Sequence, residues 1–246
     1  MINNIIFDFG EVLVNWDPRR LYVPYFGDAA KADWFLKEIC PYEWNAQCDS
    51  GRLLAEVAQE RVDLFPEWEK EIRMYFDRWI EMIGGEIPGS ADVVREFKER
   101  GYGIYGITNW SAETFPLVRH RFPVFDLMDG MIVSGEDHVL KPNPEIYNLL
   151  LSRYGLKAEE CVFIDDNPRN AAGAEAVGIR GLVFKNAAQM RADLERLLSE
   201  HSDAGGFGGN APVIEPSAGS GYAAWLIALC AAARRAIGTR NGEQLT

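Results

Sequence analysis

Short, almost wholly apolar segments alternate with amphipathic helical patterns along most of this chain, and this alternation constrains the fold more than any other feature. Residues 5–7 and 161–164 are typical of strands that are buried on both faces. Apolar strands that alternate with helices predict an α/β fold with a doubly wound parallel sheet, covered by helices on both faces. Further strands are predicted over 102–107, 130–133 and 181–184, and helices over 91–100, 112–121, 144–154, 171–177 and 188–199.

A long segment after the first predicted strand interrupts this rhythm. It is rich in Trp, Tyr, Phe, Glu and Arg, and its apolar residues recur at helical spacing. We expect one helix to begin behind Asp49-Ser50-Gly51, which we interpret as its cap, with a place at the entrance of the inserted segment as the alternative. A second helix is expected over 68–83, with Gly84-Gly85 as its stop. The sequence therefore predicts an inserted helical cap over residues 15–85.

The composition changes again near His201. Residues 203–210 are Gly-rich and typical of a linker, and 222–237 favour an Ala-rich helix whose apolar part is too short to span a bilayer. We assign no role to this linker and tail, residues 203–246. The sheet and its covering helices are expected to form a core from residues 1–14 and 86–202.

The net charge excludes some classes of partner. The 246 residues carry a formal charge of −12, the pI is about 4.8, and there is no long basic run. We therefore expect no binding to nucleic acid or to an anionic membrane surface. A small anionic substrate is compatible with this charge, because a metal ion and one or two local cations override the overall field.

The cysteines and the amino terminus favour a cytoplasmic protein. Cys40, Cys48, Cys161 and Cys230 show neither C-x-x-C spacing nor a disulfide-rich pattern, so we expect reduced thiols. The first residues lack a basic segment followed by an apolar one, and we expect no signal peptide. The expected state of the chain is a monomer or a weak homodimer.

Four groups of reactive side chains fall at or just beyond the carboxyl ends of predicted strands. In open parallel sheets these ends converge on one edge, where ligands bind. Asp8 is a candidate nucleophile or metal ligand, Thr108 offers a hydroxyl donor, and Lys141 offers a positive charge. Asp166 is a second hard oxygen ligand, and carboxylates with carbonyls and water suit Mg²⁺. The four groups are Asp8, Thr108-Asn109, Lys141 and Asp165-Asp166.

In their order and spacing, these groups resemble the four motifs of the haloacid dehalogenase superfamily. The resemblance covers about residues 1 to 200. It implies a Rossmann-like core, and it explains the helical insertion as the mobile cap that covers the active site in this family. The matching segments are Asp8-Phe9-Gly10, Ile107-Thr108-Asn109, Lys141-Pro142 and Ile164-Asp165-Asp166-Asn167.

The resemblance implies a nucleophile and a metal site. Asp8 would attack phosphorus and become an aspartyl-phosphate, which divides one difficult step into two. Mg²⁺ would be held by Asp8, the backbone carbonyl of Gly10 and Asp166, with Asp165 acting through a water molecule. The implied activity is that of a magnesium-dependent phosphatase of a small phosphorylated metabolite, such as a sugar phosphate.

The resemblance also implies how the substrate is held. Thr108 and Lys141 would bind the transferring phosphoryl oxygens, with Asn109 beside them, since phosphoryl transfer depends on positioning and charge stabilisation. The cap would set the specificity. Its candidates for substrate contact are Trp16, Trp44, Asn45 and Arg52, although for each aromatic residue a structural role is expected first.

Gly10 departs from the commonest pattern of the superfamily, in which most phosphatases have a second Asp here as general acid and base. General acid catalysis is worth ~10²–10⁴-fold. Three consequences stay open: the leaving group departs with little help, a cap residue, water or Glu11 supplies the proton, or turnover is very slow. Some glucose-1-phosphate phosphatases of the superfamily resemble this chain in having Gly at this place, which favours an active enzyme.

Two other functions stay open. In a 2-haloacid dehalogenase the Asp attacks carbon without a metal, but that branch has small hydroxyl residues in place of Asp165-Asp166 and an Asp in place of Asn170. Two carboxylates beside Asp8 repel one another unless a cation lies among them, which favours the metal-dependent phosphatase. The other alternative is a non-catalytic protein that binds a phosphorylated metabolite, and fold resemblance alone does not separate it from an enzyme.

Overall fold

Five parallel strands form the central sheet of the protein. The computed structural model describes residues 1–203. In chain order the strands are β1 (Asn4–Phe7), β2 (Val14–Trp16), β3 (Ile83–Glu86), β4 (Gly103–Thr108), β5 (Gly130–Val133), β6 (Cys161–Asp165) and β7 (Arg180–Val183). The order in the sheet is β5-β4-β1-β6-β7, and every neighbouring pair is parallel. The prediction of an α/β fold with a parallel central sheet is confirmed.

Helices cover both faces of this sheet because the buried strands present apolar side chains to both sides. The helices are α1 (Arg19–Phe26), α2 (Ala29–Glu38), α3 (Tyr42–Asp49), α4 (Leu54–Leu64), α5 (Glu69–Asp77), α6 (Ser90–Glu99), α7 (Phe115–Arg119), α8 (Ser134–Asp137), α9 (Pro144–Tyr154), α10 (Pro168–Glu175) and α11 (Ala187–Asp203). Ile5 and Phe7 belong to one buried cluster, with helices α6 and α11, and Ile6 belongs to the other, with α9 and α10.

The segment between β2 and β3 is helical, as predicted, and consists of α1 to α5. Aromatic rings fill its interior; the rings of Tyr22 and Phe35, for example, are 4.8 Å apart between centroids. The ring of Trp79 lies 5.6 Å from that of Trp110, which follows β4, so the insertion and the sheet share one hydrophobic cluster. The division into a core and a cap domain stays a prediction.

Two expectations about the insertion are wrong. Asp49-Ser50-Gly51 does not cap the following helix, because Asp49 is the last residue of α3 and α4 begins after Leu53. Gly84-Gly85 does not stop a helix but lies in β3, which pairs with β2 in antiparallel orientation. Glycine suits this close pairing, since a Cβ on Gly84 would lie 2.1 Å from Oδ1 of Asn15.

The helix predicted over 112–121 is shorter than expected and comprises only α7. The hydroxyl of Ser111 accepts a hydrogen bond from the backbone N–H of Glu113, which holds a turn ahead of the helix. The predicted linker and Ala-rich tail lie outside the described residues, apart from Asp203 at the end of α11. Within residues 1–203, none of the helices combines the length and apolar character needed to cross a membrane.

Replacing Gly106 in β4 with Ala should destabilise the fold by about 1–3 kcal/mol through overpacking. The new Cβ would lie 2.3 Å from the ring of Phe9, which is fully buried with ring centroids 5.8 Å from Phe115 and 4.7 Å from Phe125. The free energy of unfolding in urea measures the loss. In a Phe9→Leu background the penalty should shrink; the same penalty in both backgrounds would contradict this packing.

Candidate active site

The ε-ammonium group of Lys141 lies between two carboxylates at the carboxyl edge of the sheet. Its Nζ is 2.8 Å from Oδ1 of Asp8, which follows β1, and 2.7 Å from Oδ2 of Asp165, which ends the neighbouring β6. The side chain of Lys141 is only 1% exposed. Burial by itself lowers the pKa of Lys141, but the two carboxylates outweigh it and hold the pKa above its usual range. The buried ammonium therefore stays charged.

Asn109 fixes the backbone that carries Lys141. Its Oδ1 accepts a hydrogen bond from the backbone N–H of Lys141 at 2.8 Å, and its Nδ2 donates to the carbonyl of Lys141 at 3.1 Å. Thr108 ends β4, is 1% exposed and lines the same cavity as Asp8. The structure thus brings the sequence-predicted Asp8, Thr108, Asn109 and Lys141 together, with Asn109 bonded to the main chain of Lys141.

Both carboxylate oxygens of Asp165 accept hydrogen bonds. Oδ1 accepts hydrogen bonds from the backbone N–H of Asn167 at 2.8 Å and from Nδ2 of Asn170 at 3.0 Å. Oδ2 accepts from Lys141, and also from Nδ2 of Asn170 at 3.1 Å. These contacts occupy the acceptor sites of a fully buried carboxylate. Asp165 therefore holds Lys141 in place, and a metal ion bound directly to it would have to displace one of these donors.

Asp8, Asp165 and Asp166 form the one group in residues 1–203 whose spacing suits a metal ion, with one oxygen from each within 4.8 Å of the others. Burial, aided by the charges of Asp165 and Asp166 and opposed by Lys141, raises the pKa of Asp8 to about 8. Burial and the charge of Asp165 also raise the pKa of Asp166. Three clustered carboxylates with hard oxygen donors fit a divalent cation such as Mg²⁺.

The cavity above these groups has a volume of about 310 Å³. Its floor is formed by Asp8, Gly10, Thr108, Lys141 and Asp166 at the ends of the strands, and three indole rings line its sides. The lining also includes residues of the helical insertion and of the loop after β4: Trp16, Tyr42, Asn45, Asp49, Trp79, Trp110 and Thr114. The remaining lining residues are Glu11, Asn109, Asn167 and Asn170.

The candidates for substrate contact separate into two groups. Trp16 and Asn45 line the cavity, and their contact with a substrate stays a prediction. Trp44 is buried and its Nε1 donates to the carbonyl of Val57, and Arg52 pairs with Glu60 outside the cavity. These two side chains therefore have structural partners.

Glu11, a candidate proton donor, lies at the cavity, but its carboxylate already accepts hydrogen bonds from neighbouring residues. Its carboxylate accepts hydrogen bonds from Nδ2 of Asn15 at 3.0 Å and from the backbone N–H of Trp16 at 2.8 Å. Its backbone has a positive φ of 56°. Glu11 thus holds the start of the insertion.

Asp49 was missed as a site residue because it was interpreted as a helix cap. It is 7% exposed, lines the cavity and is four residues from Asn45, so both side chains lie on one face of α3. Burial raises the pKa of Asp49 to about 7, against the opposing effects of a hydrogen bond from the backbone N–H of Ser111 and of the charge of Lys141. The signal in the sequence was the spacing of four residues between Asn45 and Asp49, which places both on one face of a helix.

The pH dependence of stability should differ between the wild-type protein and Asp49→Asn. The pKa of Asp49 is about 7 in the folded protein, against an ordinary value of 3.8 for an aspartate carboxyl, so between these values only the folded state keeps the proton. This carboxyl therefore lowers the free energy of unfolding as pH rises through the window, by about 1.4 kcal/mol per pH unit. Asn does not titrate, so the variant should become progressively more stable relative to wild type from pH 4 to pH 7. Parallel urea-unfolding profiles in this range would contradict the assignment.

Comparison with known proteins agrees with this geometry. The family model of haloacid dehalogenase-like hydrolases matches residues 2–178. Sesquiterpene phosphatase astK of Aspergillus oryzae is 32% identical over 106 residues, which cover 43% of this chain and 54% of astK. D-ribitol-5-phosphate phosphatase of Bacteroides thetaiotaomicron is 22% identical over 207 residues, 81% of this chain and 100% of that protein. The chain spans only 19–54% of the length of four curated matches, astK included.

Solved structures show the same fold. A HAD family enzyme of Bacteroides thetaiotaomicron, solved as a magnesium complex, is 23% identical to this chain with a TM-score of 0.62, and the alignment covers 79% of this chain and 98% of that enzyme. At this identity the likeness establishes the fold, while the family model, which matches well over half of the chain, establishes the family. The protein belongs to the haloacid dehalogenase-like hydrolases.

Proposed function

We propose that this protein is a magnesium-dependent phosphatase that acts on a small phosphorylated polyol or sugar through an aspartyl-phosphate at Asp8. The observation that carries the proposal is the balance of charge in the site. Three carboxylates, those of Asp8, Asp165 and Asp166, face one buried ammonium group. A divalent cation offsets this excess of negative charge and allows a dianionic phosphate to approach.

The roles follow from the contacts of each residue. Lys141 and the backbone N–H of Phe9, at 2.6 Å, both bond to Oδ1 of Asp8 and orient the nucleophile. In the bound state Asp8, Asp166 and the Gly10 carbonyl would hold the ion, with Asp165 acting through water. The ion supplies positive charge for the phosphoryl oxygens. Asp165, Asn170 and Asn109 hold Lys141, which with Thr108 binds those oxygens.

The lining of the cavity supports a substrate with several hydroxyl groups. Indole faces pack against the C–H faces of a polyol or sugar, while Asn45, Tyr42 and Thr114 offer hydrogen-bonding groups. A volume of about 310 Å³ suits a small metabolite. The named activity of the ribitol phosphatase relative is in keeping with this class.

Residues 15–85 are proposed to act as the cap domain on a core of 1–14 and 86–202. They supply Trp16, Tyr42, Asn45, Asp49 and Trp79 to the cavity wall, so they set the specificity. The core supplies the reacting groups at the ends of β1, β4 and β6.

Two features argue against the alternatives. A metal-independent dehalogenase does not need an acidic pair beside its nucleophile. The pKa of Asp166 is raised, and a bound cation would lower it again and stabilise the carboxylate. A protein that only binds phosphorylated metabolites does not need a carboxylate oriented by Lys141 in the floor of the cavity.

Hydrolysis of p-nitrophenyl phosphate should require Mg²⁺, and Asp8→Asn should abolish it, because the amide is a poor nucleophile and a poor ligand. Release of p-nitrophenolate, followed with Mg²⁺ and with EDTA, measures both effects. Asp137→Asn is the matched control, since this carboxylate pairs with Arg153 outside the cavity.

Equal rates with Mg²⁺ and with EDTA would remove the metal from the proposal. Release of chloride from 2-chloropropionate in EDTA, without hydrolysis of the phosphate ester, would favour the dehalogenase. Neither reaction, together with a raised melting temperature on addition of ribitol 5-phosphate, would favour a binding protein.

A further inference from the structure

A phosphatase that uses Asp8 as its nucleophile must also deliver a proton to the leaving oxygen. An alkoxide is a poor leaving group, and protonation by a positioned acid accelerates its departure by ~10²–10⁴-fold. Gly10 has no side chain to provide this proton. Another group at the cavity must do so if the enzyme is to hydrolyse esters of ordinary alcohols.

Most titratable side chains at the cavity already have hydrogen-bond partners or a proposed role in binding the metal. Lys141 is bonded to Asp8 and Asp165, and Asp8 and Asp166 belong to the proposed metal site. Glu11 is exposed and bonded to Asn15 and Trp16. Within residues 1–203, the cavity then leaves two titratable side chains, those of Tyr42 and Asp49. Although Tyr42 as a whole residue is 58% exposed, partial desolvation of its phenol and the nearby charges of Asp49 and Asp8 raise its pKa, which makes it a weak acid for this task.

Asp49 is buried and is fixed to the same loops that carry the reacting groups. The backbone N–H of Ser111, three residues beyond Thr108, donates to its carboxyl group. The hydroxyl of Ser134, the first residue after β5, donates to the backbone carbonyl of Asp49 at 2.5 Å and accepts from the backbone N–H of Trp110 at 2.9 Å. A residue of the insertion is thereby held at a defined place over the ends of the strands.

We propose that Asp49 is the general acid and base of the reaction, in place of the missing side chain at Gly10. This inference rests on the proposed phosphatase function. Asp8 forms a bond to phosphorus, the bond from phosphorus to the leaving oxygen breaks, and that oxygen takes the proton of Asp49. The Asp49 carboxylate then accepts a proton from a water whose oxygen forms a bond to the phosphorus of the aspartyl-phosphate. The bond from phosphorus to the Asp8 oxygen breaks, and its electron pair returns to the Asp8 carboxylate. One water is consumed, and Asp49 regains its proton.

The surroundings of Asp49 favour this role. Burial raises the pKa of Asp49, so the proton is retained close to neutral pH. The other titratable groups whose charge interacts with Asp49 are Lys141 of the core and Tyr42, Cys48 and Tyr75 of the insertion. Of these four, Lys141 is charged at neutral pH, and it lowers the pKa of Asp49 without removing the effect of burial.

The test is the dependence of kcat/KM on the leaving group. With Mg²⁺, the wild-type enzyme and Asp49→Asn are compared on p-nitrophenyl, phenyl and benzyl phosphate, whose leaving groups need increasing help from a proton. Because kcat/KM reports the steps up to departure of the leaving group, hydrolysis of the aspartyl-phosphate does not affect it. For Asp49→Asn, kcat/KM should fall by ~10²–10⁴-fold on benzyl phosphate and by less than about tenfold on p-nitrophenyl phosphate.

Glu113→Gln is the matched control. Glu113 accepts a hydrogen bond from the backbone N–H of Leu54 at the same junction between the insertion and the β4 loop, but it does not line the cavity. This variant should keep the wild-type dependence on the leaving group. Retained hydrolysis of p-nitrophenyl phosphate by Asp49→Asn also serves as the check on its folding.

A second variant tests whether a carboxyl group is what Asp49→Asn lacks. A Cβ added at Gly10 would meet no atom within 4 Å, so Gly10→Asp has room for a side chain. In the double variant Gly10→Asp/Asp49→Asn the rates on phenyl and benzyl phosphate should recover. Rates that fall along the series as steeply as in Asp49→Asn alone would contradict the proposal.

Two further outcomes would overturn it. An equal loss on all three esters would indicate a structural role for Asp49, and a wild-type rate that falls along the series as steeply as that of Asp49→Asn would show that no proton is delivered. Absence of magnesium-dependent hydrolysis of p-nitrophenyl phosphate by the wild-type enzyme is a different result, because it would contradict the phosphatase function itself.

Discussion

The contact of one buried ammonium group with two carboxylates organises the whole site. Lys141 bonds to Asp8 after β1 and to Asp165 at the end of β6, so it links neighbouring strands of the sheet. Breaking a buried pair of this kind by removing one partner typically costs about 3–5 kcal/mol, because the remaining charge is left uncompensated. Asn109 and Asn170 serve this contact by fixing the backbone of Lys141 and the oxygens of Asp165. The excess of negative charge that remains around Asp8 is what a divalent cation would offset.

The insertion does more than cover this site. It shares a hydrophobic cluster with the sheet, and it places Asp49 at the cavity through bonds from Ser111 and Ser134 to the carboxyl group and backbone carbonyl of this residue. The core supplies the proposed nucleophile and the charged groups, whereas the insertion supplies two of the three indole rings and a buried acid. The glycine at position 10 therefore shifts part of the proposed chemistry from the core to the insertion.

The sequence predicts the sheet and the position of Asp8, Thr108 and Asp165 at its carboxyl edge because both depend on local patterns. Buried strands need continuous apolar runs, and the residues that follow them lie at one edge of a parallel sheet. Asp49 could not be assigned in this way, because a carboxylate before Ser-Gly is equally typical of a helix cap, and its burial depends on contacts with Ser111 and Ser134, far along the chain. Gly84-Gly85 was interpreted as a helix stop for a similar reason. The strand that contains it forms only through pairing with β2, nearly seventy residues earlier in the chain.

The most direct test of the proposed mechanism is the chemical state of Asp8 during turnover. Samples quenched in acid while p-nitrophenyl phosphate is being hydrolysed with Mg²⁺ can be digested and analysed by mass spectrometry. We expect one phosphoryl group on the peptide that contains Asp8, with the modification absent from Asp8→Asn. Release of phosphate from an enzyme whose Asp8 stays unmodified, or a phosphoryl group on any other residue, would contradict nucleophilic attack by Asp8.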